Sequence, residues 1–258
     1  MYGKPENRKA RLYSCDIIGD IAIIDLHGRG DLNPREIAGD ILRKRRKIRA
    51  VLEKISQVSG SRRVARYRLV SGESSVTVHR EFGIPFRLDP REVFFNPRLA
   101  SERNRVTRQV SPGESVLVPF SGIGPFVIPA AIRGANVCAI DANPLAIRWL
   151  YENIGRHHLG DRVSVIPGDA LDPGVYPDSL FDRAIIPTPY GQDHALDIIA
   201  PHVRQGGILH WYTFKKDHEI PSLAGELLNR SLKPVRIRKC GNVAPGVRRF
   251  VIDLVRMK

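Results

Sequence analysis

Residues Ser115–Ile154 read SVLVPFSGIGPFVIPAAIRGANVCAIDANPLAIRWLYENI, and the alternation of periods within them decides the fold class. Ser115–Phe120 is a short apolar run that stops in a glycine turn, Gly122-Ile123-Gly124. A helix-like segment follows over Pro125–Ile132, then a second apolar run at Asn136–Asp141 and a second helical pattern at Pro144–Ile154. Strands that alternate with helices through short loops form a parallel, doubly wound sheet. The rhythm continues outward: Arg162–Ile166 and Arg183–Ile186 are strand-like, His194–Val203 is helix-like, and Ile208–Phe214 is a further strand. The chain then runs through a helix at Leu223–Leu232 and two runs, Val235–Lys239 and Arg248–Val255, with a Pro-Gly turn signal between them. Two strands with no helix between them predict an antiparallel pair at one edge. The expectation is an α/β fold, a Rossmann-like domain on a mixed seven-stranded sheet.

Upstream, the pattern reads as a smaller α+β unit. Asp16–Leu26 (DIIGDIAIIDL) suits one strand bent at its glycine. Asn33-Pro34-Arg35-Glu36 places an N-cap, an N1 proline and an N3 acid in register, a helix start. Ile37, Ile41, Ile48, Leu52 and Ile55 then fall on one stripe at helical spacing, opposite the cations Arg43–Lys47 and Arg49. Strand-like runs follow at Arg63–Leu69, Ser75–His79 and Phe86–Asp89. Ser111-Pro112-Gly113 punctuates the chain, so the division expected is 1–108 and 109–258.

Composition narrows the function classes. Of 258 residues, 42% are hydrophobic and 26% charged, which excludes disordered and fibrous chains. No apolar run reaches the roughly 20 residues of a membrane span, and the polar Met1–Arg11 lacks a signal peptide's apolar stretch. Cys15, Cys138 and Cys240 are scattered without metal-ligand spacing, which fits a reducing compartment. The cytoplasm is therefore expected, with no bound metal. His79, His194 and His210 are too dispersed for a metal site and read as structural. Lys and Arg number 41 against 27 Asp and Glu, a formal charge of +14 that attracts polyanions. Nucleic acid is the expected partner.

Three loops carry the chemistry, each at a strand's carboxyl end, where ligands of open α/β sheets bind. Phe120-Ser121-Gly122-Ile123-Gly124 lets backbone approach a ligand where a helix opens. Asp141-Ala142-Asn143 supplies an acid that can accept from both ribose hydroxyls, and Gly168-Asp169-Ala170 is positioned for an adenine amino group. Val127 stands where a dinucleotide fold has its third glycine. This favours a nucleoside without pyrophosphate, S-adenosylmethionine.

The stretch Phe94–Phe126, together with VCAIDANPLAIRWLYENI, GGILHWYTF and VAPGVRRFVIDL, resembles the archaeal and eukaryotic tRNA guanosine-37 N1-methyltransferases and their sister aminocarboxypropyl transferases of wyosine biosynthesis. The likeness also takes in IIGDIAII and Val76–Pro90 (VTVHREFGIPFRLDP), so it spans both halves. It implies a class I methyltransferase domain preceded by the small α+β unit, a tRNA partner and S-adenosylmethionine as cofactor. Phe120, Ser121, Gly122 and Gly124 would cradle the cofactor, Asp141 with Ala142 and Asn143 would hold its ribose, Asp169 and Ala170 would face the adenine, and Pro187 would lie beside it. Glu102, inside PRLASER, matches the glutamate that takes the proton from guanine N1, Arg63 the arginine beside O6, and Pro189 the retained proline of the catalytic loop. Guanine N1 is protonated at neutral pH, so alkylation there needs a general base, and a cation beside O6 offsets the charge that develops. The plainer reading of Glu102 is a surface acid paired with Arg98 or Arg103.

The departures bear on substrate. Pro119 replaces an acid at the end of the first strand, and Pro187-Thr188-Pro189-Tyr190 replaces the methyltransferases' Asn-Leu-Pro. Pro187 offers only a carbonyl where an asparagine supplies an amide. Tyr190 can stack on a flipped-out base or be an ordinary loop residue. The tRNA-elbow module of many relatives has no counterpart read in this sequence. RNA contact is instead expected from Arg43, Lys44, Arg46 and Lys47, extended by Arg98 and Arg103, on a chain expected to be a monomer. The leading expectation is methyl transfer to a purine of the anticodon loop, N1 of guanosine 37. The alternatives are aminocarboxypropyl transfer in the same loop and RNA binding without catalysis.

Overall fold

A computed structural model describes residues 13–26, 28–56 and 64–258. The chain begins with β1 (Ser14–Ile18), β2 (Ile21–Asp25), α1 (Pro34–Lys44), β3 (Ala50–Lys54) and β4 (Tyr67–Ser71). These strands form one sheet in the order β1-β2-β3-β4, with β2 and β3 parallel and the outer pairs antiparallel. The period of two divides its residues cleanly: Ala22, Ile24 and Val51 face Ala38 and Ile41 of α1, while Ile21, Ile23, Ala50 and Leu52 join the main core.

The first half departs from expectation in two places. Asp16–Leu26 is a hairpin and not one bent strand: Ile18 pairs with Ile21 across a Gly19-Asp20 loop. Gly19 sits at φ +58°, and a Cβ there would come within 2.1 Å of Thr77 Oγ1, so both the turn and the close approach require glycine. The helix from Pro34 starts as expected, with the Asn33 side chain accepting from Arg35 N, but it ends at Lys44. Leu52 of the supposed stripe lies in β3, because a buried strand after a helix carries the same apolar signal as more helix. Arg45, Arg46 and Lys47 are thus in the turn after α1, not on its face.

The hairpin β5 (Thr77–Glu81) and β6 (Ile84–Leu88) leads through a 3₁₀ turn at Pro97–Leu99 into α2 (Ala100–Thr107). Then come β7 (Ser115–Pro119), α3 (Val127–Ile132), β8 (Asn136–Asp141), α4 (Pro144–Arg156), β9 (Val163–Pro167) and β10 (Phe181–Ile186). The chain continues with α5 (Ala195–Ile199), β11 (Val203–Lys215), α6 (Ile220–Asn229), β12 (Leu232–Ala244) and β13 (Val247–Arg256). Seven strands form a mixed sheet in the order β12-β13-β11-β10-β7-β8-β9. β9, β8, β7, β10 and β11 run parallel, while β13 and β12 are antiparallel at the edge, as the sequence predicts. The predicted helix at His194–Val203 is shorter, because Pro201 cannot continue it and the chain passes through a 3₁₀ turn into β11. The last helix is displaced toward the N-terminus, with Pro221 in its first turn, and Leu232 opens β12 instead of closing the helix.

Both faces of the large sheet are covered. Val116, Val118, Val137, Ala139, Tyr212 and Val251 point to one face and join the first sheet's core residues in a continuous cluster. Leu117, Cys138, Ile140, Trp211 and Ile252 point to the other, under α5 and α6. β12 is the outermost strand: it is 13 residues long, mostly exposed, and interrupted by three register shifts against β13.

Candidate nucleoside site and proton acceptor

The loops after β7, β8 and β9 converge at the carboxyl ends of their strands. Phe120 leaves β7 at φ +53° and Gly122 continues at φ +55°, so the chain reverses tightly. The Gly122 amide donates to Asp141 Oδ2 at 2.7 Å and the Asn143 amide to Asp141 Oδ1 at 2.8 Å. Each carboxylate oxygen keeps a lone pair, and burial pushes the carboxyl above its usual range while those two amides oppose the shift. Gly124, at φ +92°, lies against α4: a Cβ would meet Leu150 Cδ1 at 2.6 Å. At Gly122 a Cβ would point into open space, which a ligand can occupy. The Ser121 and Tyr212 hydroxyls are buried without a partner among the described residues. The orphaned Ser121 hydroxyl and an open glycine face fit a polar ligand such as a nucleoside.

The remaining loop residues divide by what they touch. Asn143 spends its side chain on the fold: it accepts from Leu145 N at the start of α4 and donates to Glu92 O. Ala142 beside it is exposed. Asp169 is exposed, with Oδ1 turned to Leu171 N, and the buried Ala170 accepts at its carbonyl from the Tyr176 hydroxyl. Pro187 and Pro189 are half-buried, and both polar groups of Thr188, its N–H and its hydroxyl, donate to Ile186 O. Tyr190 is exposed, edge-on to Phe214 at 5.2 Å.

Glu102 lies on α2, which packs against α3, the helix the glycine turn opens. Its carboxylate is buried, and its partners are neither Arg98 nor Arg103. Arg105 Nε donates to both Glu102 oxygens at 2.9 and 3.0 Å, and Arg238 of β12 approaches Oε2 at 3.7 Å. Below it, Tyr212 is tilted against Phe126 at 5.6 Å, which joins the acid's surroundings to the glycine loop. Arg103 leaves the expected RNA surface: it is 4% exposed, paired with Glu81 and lying over the Phe95 ring. Arg98 is exposed and bonds Asp16 at 2.9 Å. Arg63 lies outside the described residues.

Sequence reasoning missed the groups behind Glu102. Arg105 stands one helical turn from it, and Asp253 is a lone acid in an apolar run, VIDLV; both were visible signals. It also missed a groove of about 680 Å³ in the first half of the chain, away from the glycine loops and lined by Lys47, Arg49, Arg80 and Arg87. Arg49 bonds Asp20 and Arg87 bonds Glu152, whereas Lys47 and Arg80 have no acidic partner among the described residues. Arg43 and Lys44 both pair with Asp40.

Known proteins resemble this chain in sequence and fold. The TRM5/TYW2 methyltransferase domain model matches residues 77–239. The chain belongs to the TRM5/TYW2 family. It is 36% identical over 202 residues to the tRNA (guanine(37)-N(1))-methyltransferase Trm5b of Pyrococcus abyssi, an alignment covering 78% of this chain and 60% of that relative. It is 30% identical over 251 residues to the tRNA(Phe) (4-demethylwyosine(37)-C(7)) aminocarboxypropyltransferase of Pyrococcus horikoshii, covering 92% and 87%. The solved complex of aTrm5 with tRNALeu superposes with a TM-score of 0.84 at 28% identity, covering 95% of this chain and 72% of that one. The chain thus spans about three fifths of the length of its Trm5b relative. As in the rest of the TRM5/TYW2 family, the sheet is that of a class I methyltransferase. No described helix is long and apolar enough to cross a membrane.

Proposed function

We propose that this chain transfers a methyl group from S-adenosylmethionine to N1 of guanosine 37 in a tRNA. The observation that carries the reading is Glu102: a buried carboxylate fixed by Arg105, in contact with the surroundings of a glycine loop suited to a nucleoside. S-adenosylmethionine supplies a sulfonium methyl carbon whose C–S bond electrons leave with sulfur. Phe120, Ser121, Gly122 and Gly124 would cradle it, Asp141 would accept from its ribose, and Asp169 and Ala170 would flank its adenine. A Glu102 carboxylate oxygen, through a lone pair that Arg105 does not use, takes the N1 proton as N1 is alkylated, so a neutral methylated base remains. Arg238 stands on the same side and offsets charge developing on O6, a role the family resemblance assigns to Arg63. Pro187 and Pro189 bound the space for the base, and Tyr190 supplies a ring on which it stacks.

The first half, residues 1–108, would position RNA and the second, 109–258, hold the cofactor. Lys47, Arg49, Arg80 and Arg87 line one groove and would give phosphates a track, with Arg46 and Arg98 as further cations of this half, and Arg43 and Lys44 contributing less because Asp40 offsets them.

A second reading, aminocarboxypropyl transfer to a wyosine precursor, is favoured by one observation. The Thr188 N–H and hydroxyl are both spent on Ile186 O, so the Pro187–Pro189 segment offers the base no side-chain donor. Incubating tRNA with cofactor labelled in either the methyl or the carboxyl carbon separates the cases. Methyl label recovered as 1-methylguanosine supports the proposal, carboxyl label in tRNA supports the second reading, and tRNA binding without either label overturns both.

A further inference from the structure

Behind Glu102 runs an unbroken chain of charged hydrogen bonds. Arg105 uses both forks of its guanidinium: Nε and Nη2 hold Glu102, while Nη1 and Nη2 reach Asp253 at 2.8 and 3.0 Å. Asp253 of β13 stands opposite His210 of β11 in register and accepts from its Nδ1 at 2.6 Å. The other ring nitrogen faces Arg183 Nη1 at 2.7 Å, and Arg183 in turn bonds Glu114 at 2.7 Å. An arginine only donates, so His210 Nε2 accepts and the ring's single proton sits on Nδ1. Burial holds the imidazole below its usual range, which agrees with a neutral ring that Asp253 alone does not charge.

We propose that Asp253 is a positioning residue: by gripping the far side of Arg105 it aims the Glu102 carboxylate at the target base, and His210 sets Asp253 in turn. The inference rests on Glu102 as the proton acceptor. A lone arginine beside a carboxylate swings about its flexible stem, whereas one clamped between two carboxylates has a single orientation. Asp253 also offsets the charge of Arg105, so the base is held in place without facing an uncompensated cation. The other groups facing Glu102 are Arg238 and the Cys240 thiol from β12 and the Tyr212 phenol from β11. Burial pushes the thiol up to about 12 and the phenol well above its usual range, so both are neutral near pH 7.

The test is Asp253→Asn in the full chain, with single-turnover transfer to saturating tRNA. The expected result is a fall in kcat of about tenfold or more, with KM for tRNA and affinity for S-adenosylhomocysteine unchanged. The single-turnover rate constant falls, while the amplitude, which counts active molecules, stays at the parental value. A merely structural role lowers the amplitude and leaves the rate constant in place, which overturns the proposal, as does parental kcat. Should Asp253→Asn fail to fold, Arg105→Lys decides: it keeps the charge but has no planar fork to fix two carboxylates at once, and parental turnover there rejects the clamp. Glu102→Gln is run alongside; full activity in that variant removes the proton-acceptor reading itself, an outcome distinct from failure of the clamp alone.

Discussion

The Asp141 carboxylate, at the end of β8, accepts the Gly122 amide at 2.7 Å from the loop after β7. One acid therefore both closes the glycine loop and offers its free lone pairs to a ligand. Asp141→Ala loses both, and S-adenosylhomocysteine affinity measured by calorimetry is expected to fall at least tenfold, with Glu102 untouched. Burial raises the Asp141 carboxyl, so its ionised, accepting form is lost on acidification earlier than for an exposed aspartate. Parental affinity should decline on acidification from above the ordinary aspartate range, and the Asp141→Ala affinity should stay flat over the same interval.

The groove gives the RNA prediction. Lys47→Glu with Arg80→Glu reverses the two lining cations that have no acidic partner among the described residues. Binding of tRNA should weaken, and the log–log salt dependence should flatten by about 0.7–0.9 for each phosphate that is no longer neutralised. Cofactor affinity should not change. Arg43→Glu with Lys44→Glu, where Asp40 offsets both cations, should have the smaller effect. Equal weakening by the two pairs would place the RNA track elsewhere.

Gly124→Ala joins a left-handed backbone, φ +92°, to a 2.6 Å encounter with Leu150 Cδ1. The expected cost is about 1–3 kcal/mol in urea unfolding. Gly122→Ala, whose Cβ meets nothing, carries only the backbone part and should reduce ligand binding more than stability.

Asp253 also links stability to pH. Burial alone would raise its carboxyl, but the hydrogen bonds from His210 and Arg105 outweigh that and hold it at about 2, against 3.8 when free. A carboxyl lowered on folding stabilises the protein above about pH 4 and loses that contribution between pH 4 and 2. The stability gap between the parent and Asp253→Asn should therefore shrink by about 1–2 kcal/mol over that window, as read from urea midpoints.

The parts of this fold visible in the sequence are those set by local period and turn chemistry. Strand, glycine turn and helix in Ser115–Ile154 fall where the apolar runs and Asn143-Pro144 put them. The Asp16–Leu26 hairpin is hidden because Gly19-Asp20 interrupts one continuous apolar run, and nothing local distinguishes a bend from a reversal. Helix α1 reads too long because buried Leu52 in β3 repeats the helical spacing by coincidence. At the site, motif residues are legible one by one, but pairings are not. Arg103 and Arg105 are near neighbours of like charge; only tertiary contact sends one to Glu81 and the other to Asp253, while Glu102 lies one helical turn from Arg105.

Strand β12 has a further consequence. An exposed strand of 13 residues offers a row of unpaired backbone groups on which another strand can grow. Here Pro234 removes one donor, the three register shifts buckle the ladder, and Lys233, Arg236, Arg238 and Lys239 line the rim. Two such rims brought together repel at every step, so self-association through this edge is disfavoured. A polyanion lying along it is drawn in by the same cations. The features that guard the protein against fibril growth thus also give that rim its basic character.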